Sequence, residues 1–153
     1  MNLFLEILQV IGTVLYQILS ATVRLFIPGK AKDVDGEIVL ITGAGSGLGR
    51  LLSIQFASLG STVVCCDINE EANDKTVETI KSMRGDACGY VFDCSDRKEV
   101  YDVAEKIKTE VGDVSILVNN AGIVSGKKFM DTPDALIQKS FEVNTISHFW
   151  VRK

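Results

Sequence analysis

Histidine and proline are the scarce residues here: one histidine, His148, and two prolines in 153 residues. A lone imidazole excludes a histidine-based metal centre. So few prolines argue against a linker-rich or disordered chain. Cysteine occurs four times, at Cys65, Cys66, Cys88 and Cys94, but never as Cys-x-x-Cys, which argues against a zinc site. Adjacent Cys65 and Cys66 on a strand would point to opposite faces. Buried reduced thiols in a cytosol-facing domain are the plain reading, with a disulfide between Cys88 and Cys94 left open. No cluster of Lys and Arg occurs, and 16 basic against 20 acidic residues give a net charge of −4. That balance does not suit a nucleic-acid partner. Internal repeats and low-complexity segments are also missing.

What the chain has in excess is apolar sequence at one end. A mean hydropathy of +0.22 is high for a soluble protein. Its source is residues 3–27, where 17 of 25 are apolar before Pro28-Gly29. As a helix this stretch would be about 37 Å long, against about 30 Å for a bilayer's hydrocarbon core. No basic segment precedes it and no small-x-small cleavage site follows, so it does not read as a signal peptide. Its polar residues Asn2, Glu6, Gln9, Thr13, Gln17, Ser20 and Arg24 recur about every 3.7 positions, one face of a helix. Such a narrow stripe suits a helix lying in a membrane interface. Glu6 and Arg24 are its only charges, so a spanning helix with a packing stripe stays open, as does a soluble core helix. Attachment to a lipid membrane through residues 1–27 is the expectation, with Lys30 and Lys32 placing the remainder on the cytosolic side. The expected division is a hydrophobic helix over 1–28, a linker over 29–36 and a domain over 37–153.

The remainder alternates apolar β-like runs with amphipathic helical stretches. Strands are expected at 37–41, 62–66, 88–92 and 114–118. Leu48, Leu51, Leu52, Phe56 and Leu59 mark one helix face, Ala72, Val77 and Ile80 a second, and Val100, Val103, Ala104, Ile107 and Val111 a third. Thr132-Pro133 reads as an N-cap followed by proline in the first helical position, opening a last helix. Alternation of this kind indicates an α/β fold with a doubly wound parallel sheet.

Directly after the first strand stands Thr42-Gly43-Ala44-Gly45-Ser46-Gly47-Leu48-Gly49. Glycines there permit a tight turn and let backbone approach a pyrophosphate at the next helix N-terminus. With a strand before and an amphipathic helix after, the signal is strong. It is not a P-loop, since Arg50 follows Gly49 and no Gly-Lys-Ser/Thr appears. The expected cofactor contacts in this turn are Gly43, Ser46, Gly47, Leu48 and Gly49. Asp67 ends the second strand, where a carboxylate accepts bonds from both ribose hydroxyls and repels a 2′-phosphate. No basic residue follows it before Lys75, so NAD is favoured over NADP. A helix N-terminal charge is the plainer role for Asp67.

From about residue 37 to 153 the chain resembles the short-chain dehydrogenase/reductase family, whose glycine turn has the same Thr-Gly-x-x-x-Gly-x-Gly form. By that resemblance Asp93, after the third strand, is the acidic residue that contacts adenine. Asn119-Asn120-Ala121-Gly122, after the fourth, supports the sheet and lines the cofactor cleft through Asn120, Ala121 and Gly122. Asn144, in the last helix, matches the asparagine that holds the catalytic lysine through a water. The apolar N-terminus and residues 36–43 and 110–117 are similar to the family's membrane-associated 16C branch of retinoid and 17-beta-hydroxysteroid dehydrogenases. The resemblance implies a Rossmann-type sheet and NAD(P)-dependent oxidation of a lipophilic alcohol or reduction of its ketone, retinoid or steroid-like. It also implies residence at the endoplasmic reticulum or lipid droplets.

One part of the family's chemistry has no counterpart. Its members use a Tyr as base, a Lys four residues later that lowers the Tyr pKa, and a Ser on a fifth strand. An unassisted phenol with a pKa of about 10 is a poor base at neutral pH. Tyr16, Tyr90 and Tyr101 are followed four residues on by Ser20, Cys94 and Glu105, so none forms the pair. His148 could act as a base, but a polar residue on a helix flank is the simpler role. The chain is thus expected to hold only strands 3-2-1-4 of that fold, with an apolar edge at the fourth, most of the family's homodimer helices absent, and a tendency to aggregate. It reads as an inactive part of an enzyme or, alternatively, as a non-catalytic membrane-anchored dinucleotide-binding fragment or pseudogene product.

Overall fold

The computed structural model describes residues 3–26 and 32–152. Asn2, Pro28, Gly29 and Lys30 therefore lie outside the described residues. The chain forms two units, which meet in sequence between Asp33 and Val34.

The first unit holds helix α1, Leu3–Phe26. Its length and composition are sufficient to cross a membrane, with a mean hydropathy of 1.7 over Leu3–Arg24. Leu5, Val10, Leu15 and Leu19 are all more than half exposed. Glu6, Gln9 and Thr13 lie on one side of α1 together with Val10 and Val14, as the stripe spacing requires. The hydroxyls of Thr13 and Thr22 donate to the carbonyls of Gln9 and Ile18, each at 2.8 Å. These bonds satisfy two hydroxyls without help from water.

The second unit is a four-stranded parallel sheet in the order β3-β2-β1-β4. The strands are β1 (Ile38–Thr42), β2 (Thr62–Asp67), β3 (Asp86–Val91) and β4 (Ile116–Val118). Parallel neighbours need long crossovers, here α2 (Gly47–Ser58), α3 (Glu70–Ser82) and α4 (Arg97–Glu110). The parallel α/β arrangement expected from the alternation is present, in the Rossmann-type strand order that the resemblance implies. Val39, Ile41, Val63 and Cys65 face one layer with Val77 and Ile80 of α3. Leu40, Val64, Cys66 and Tyr90 face the other, with Val100 and Ile107 of α4. Burial on both faces explains the uninterrupted apolar strands. Cys65 and Cys66 do fall on opposite faces, and all four cysteines are free thiols.

Several local expectations need correction. Leu48 and Leu51 of α2 and Leu59 at its C-cap are 72%, 64% and 51% exposed. The face turned to the sheet is built from the buried Gly49 and Ser53, with Leu52 and Phe56 beside them. Small residues one turn apart let the helix lie close to the sheet, and Ser53 Oγ returns a 2.8 Å bond to the Gly49 carbonyl. The buried face of α3 includes polar Asn73 and Thr76 as well as Val77 and Ile80. Asn73 Nδ2 donates to the carbonyls of Cys65 and Tyr90, and Thr76 Oγ1 to that of Ala44. Ala104 of α4 is exposed. Strand β3 begins two residues before its expected start, and β4 is three residues long. Thr132 does not cap the last helical segment, because its hydroxyl bonds the Lys128 carbonyl. Pro133 occupies the cap position, and α5 runs over Asp134–Phe141. A five-residue π turn, Glu142–Ile146, then separates α5 from α6, Ser147–Val151. Phe141 and Phe149 on these segments are 61% and 55% exposed.

Candidate functional site

The carboxyl ends of β1, β2 and β4 open onto a cleft of about 460 Å³. Of the expected cofactor residues, Gly43, Ser46, Gly47, Leu48, Asp67, Asp93, Asn120, Ala121 and Gly122 border it. Gly49 does not. It lies buried behind the turn, where an added Cβ would fall on the Gly43 carbonyl oxygen and crowd the Asn120 amide. Gly49 thus sets the approach of α2 to the turn. Gly43, at φ +68, has the Ala121 backbone 2.9 Å from where a Cβ would stand. Gly47, at φ +51, has open space around that position.

The start of α2 differs from the other two crossover helices. Asn69 caps α3 by accepting from Ala72 N–H, and Asp96 caps α4 by accepting from Lys98 and Glu99 N–H. Ser46 holds the cap position of α2 without a side-chain bond, and no acidic residue lies in its first turn. First-turn amides and the positive end of the helix dipole are left for an external anion. Asp67 stands at the end of β2 on the same cleft. Its Oδ2 accepts from Gly45 N–H at 2.8 Å and its Oδ1 from Asn69 N–H at 2.9 Å, which fixes the carboxylate in place. These residues fit a dinucleotide: an open anion position, glycine surfaces that admit close backbone approach, and a fixed acceptor for hydroxyls.

Thr42 and Asn120 lock the floor of the cleft. Thr42 Oγ1 accepts from the N–H groups of Asn120 and Ala121 at 3.1 and 3.0 Å. Asn120 Nδ2 donates to the carbonyls of Thr42 and Gly43 at 2.8 and 3.2 Å. The end of β1 and the loop after β4 are thereby held in one geometry.

At the β3 end, Asp93 meets Lys139 of α5, a residue that no motif in the sequence singled out. Lys139 Nζ lies 2.8 Å from Asp93 Oδ2. Partial burial raises the Asp93 carboxyl, but Lys139 and the N–H and hydroxyl of Ser95 outweigh it and hold the group below its usual value. Asn144 stands in the π turn. Its Oδ1 accepts from Ile123 N–H and its Nδ2 donates to the Ile123 carbonyl, both at 2.8 Å. Its side chain is thus spent on the backbone beyond Gly122, and π turns mark an interrupted helix where such contacts concentrate.

A family model described as short chain dehydrogenase matches residues 37–153. The chain belongs to the short-chain dehydrogenase family. It is 53% identical over 154 residues to short-chain dehydrogenase/reductase family 16C member 6 of Bos taurus, covering 100% of this chain and 49% of that protein. It is 53% identical over 144 residues to epidermal retinol dehydrogenase 2 of Homo sapiens, covering 94% and 47%. Among solved structures, a short-chain dehydrogenase/reductase from Burkholderia phymatum in complex with NAD matches with a TM-score of 0.75. That match is 31% identical and covers 79% of this chain and 43% of that one. The chain spans about half the length of the curated relatives it matches.

None of the three tyrosines lines the cleft of this short-chain dehydrogenase chain. Tyr90 lies on β3 with its hydroxyl donating to Glu110 at 2.8 Å. Burial, with that carboxylate, pushes its phenol above the ordinary range, the wrong direction for a base. His148 is half-buried on α6 and away from the cleft lining.

Proposed function

We propose that this chain supplies the cofactor-binding part of an NAD-dependent oxidoreductase for a lipophilic, retinoid or steroid-like alcohol. The start of α2, which no side chain caps, beside the fixed Asp67 carboxylate carries this reading. The helix start receives a pyrophosphate, and Asp67 accepts from ribose hydroxyls. Asp93 takes the purine end, and Asn120, Ala121 and Gly122 line the cleft floor. A 2′-phosphate would bring a second anion against Asp67, so NAD is preferred to NADP. Bound NAD would supply the hydride acceptor. The 153 residues by themselves do not turn substrate over, because no Tyr here has a Lys one helical turn on. Proton transfer requires residues from outside this sequence.

The apolar, exposed surface of α1, with its narrow polar stripe, attaches the chain to a lipid membrane at the endoplasmic reticulum or lipid droplets. A lipophilic substrate that partitions into the same phase fits that location. The relative named for retinol, 53% identical over 144 residues, supports the same substrate class.

Fluorescence titration of the full chain with NADH and NADPH, followed by a retinol-oxidation assay, tests the proposal. Saturable NADH binding, weaker NADPH binding and no NADH formation are expected. Measurable turnover would refute the inactivity, and absence of dinucleotide binding would refute the cofactor role. Flotation with liposomes tests the membrane role, with loss of flotation expected when Leu8 and Leu15 are both replaced by Arg.

A further inference from the structure

Among the described residues, Lys139 is the one cationic side chain lining the cleft, and it is engaged twice. Its Nζ donates to Asp93 Oδ2 at 2.8 Å and to Ser95 Oγ at 2.6 Å. Asp93 Oδ1 accepts in turn from Ser95 N–H at 2.9 Å and from Ser95 Oγ at 2.7 Å. The three residues form a closed ring of charge-assisted bonds in which neither carboxylate oxygen is free to rotate. Asp93 keeps 26% of its side chain exposed. A carboxylate oxygen accepts more than one hydrogen bond, so Oδ2 retains acceptor capacity at the cleft after Lys139 is counted. A lysine alone in this position would favour a base with a carbonyl on that edge. Lysine here has spent two of its three N–H groups on Asp93 and Ser95, so what it fixes at the cleft is the Oδ2 acceptor, and an acceptor selects an exocyclic amine.

We propose that Lys139 is a specificity-determining positioning residue, aiming Asp93 so that the cleft accepts a 6-aminopurine and rejects a 6-oxopurine. The inference rests on the dinucleotide reading above and adds to it the residue that sets the choice of base. Lys139 acts through Asp93, and the same ion pair also ties α5 to the segment after β3. The test therefore needs a readout that loss of a fold contact would leave unmoved.

That readout is the ratio of dissociation constants for two ligands with the same nicotinamide, ribose and pyrophosphate groups. The full chain is titrated by fluorescence with NADH and with its hypoxanthine analogue, which carries a 6-oxo group in place of the amine. The unaltered chain is expected to prefer NADH by about tenfold, the size of one good hydrogen bond to a charged acceptor. Lys139→Met reduces that preference to about threefold or less, chiefly by weakening NADH. Lys139→Arg, which keeps the charge, restores most of it. Ser95→Ala, which loosens Asp93 without removing the ion pair, lowers the ratio in the same direction. A Lys139→Met ratio equal to that of the unaltered chain, whatever happens to the two affinities together, overturns the inference and leaves Lys139 a fold contact. An unaltered chain that binds neither ligand refutes instead the dinucleotide reading on which it rests.

Discussion

Replacing Thr42 by Val tests whether the floor of the cleft is held by one hydroxyl. The two side chains have nearly the same shape, and Thr42 is 3% exposed, so the exchange removes an oxygen with little change in packing. Two N–H groups, those of Asn120 and Ala121, lose an acceptor at 3.1 and 3.0 Å. The hydroxyl's own reach to the Val118 carbonyl, at 3.5 Å, adds little. At about 1–1.5 kcal/mol for each lost bond, the expected destabilisation is about 2–3 kcal/mol. Urea unfolding followed by the fluorescence of Trp150, the single tryptophan, reads this as a midpoint lowered by about 1–2 M. Trp150 is a suitable reporter because Arg97 of α4 sits 5.7 Å from its ring centroid. Thr42→Ser keeps the oxygen and loses a methyl, so it should cost no more than about 1 kcal/mol. A Thr42→Val chain within about 0.5 kcal/mol of the unaltered one would refute the reasoning, and the two amides would then have another partner. NADH affinity should fall with stability in Thr42→Val and survive in Thr42→Ser.

Three further outcomes follow from the same geometry. Asp67→Asn should weaken NADH about tenfold while improving NADPH relative to it, measured by parallel titrations; an unchanged ratio would detach Asp67 from cofactor choice. Asp93 has a folded pKa below the usual 3.8, so its contribution is full at neutral pH and is lost as pH falls through 3.8 toward the folded value. Asp93→Asn should therefore flatten the acid limb of stability below about pH 4 in a pH-dependent urea series, whereas an unaltered limb would contradict the ion pair. Gly49→Ala should destabilise by about 1–3 kcal/mol despite the better helix propensity of Ala, because its Cβ meets backbone rather than a flexible side chain. An unaffected melting transition would show that the turn and α2 can move apart freely.

The strands were legible because buried parallel β-structure writes itself as short apolar runs, and the glycine turn because its spacing is tied to a chemical task. Nine of the ten expected cofactor residues border the cleft for the same reason: motif positions sit where β-strands end. The errors share a cause of another kind. Periodicity counts apolar residues, whereas α2 turns Gly49 and Ser53 inward and α3 buries Asn73 and Thr76. Close approach and hydrogen bonds to strand carbonyls decided those faces, and neither has an apolar signature. The π turn was invisible because it adds a residue to one helical turn without needing a special residue type. Lys139 was missed because its partner is 46 positions away and belongs to no shared motif.

Cys65 and Cys66 are neighbours in sequence whose thiols face opposite sides of the sheet. One thiol is sealed into the layer beneath α2 and α3, the other into the layer beneath α4. Burial raises Cys65 to about 11 and Cys66 well above its usual value, so neither reacts until its own layer opens. Thiol labelling under native conditions would then time two separate openings from adjacent positions. Equal rates would mean that both layers leave the sheet together. Unequal rates would rank them, and the ranking would show which face of the sheet gives way first.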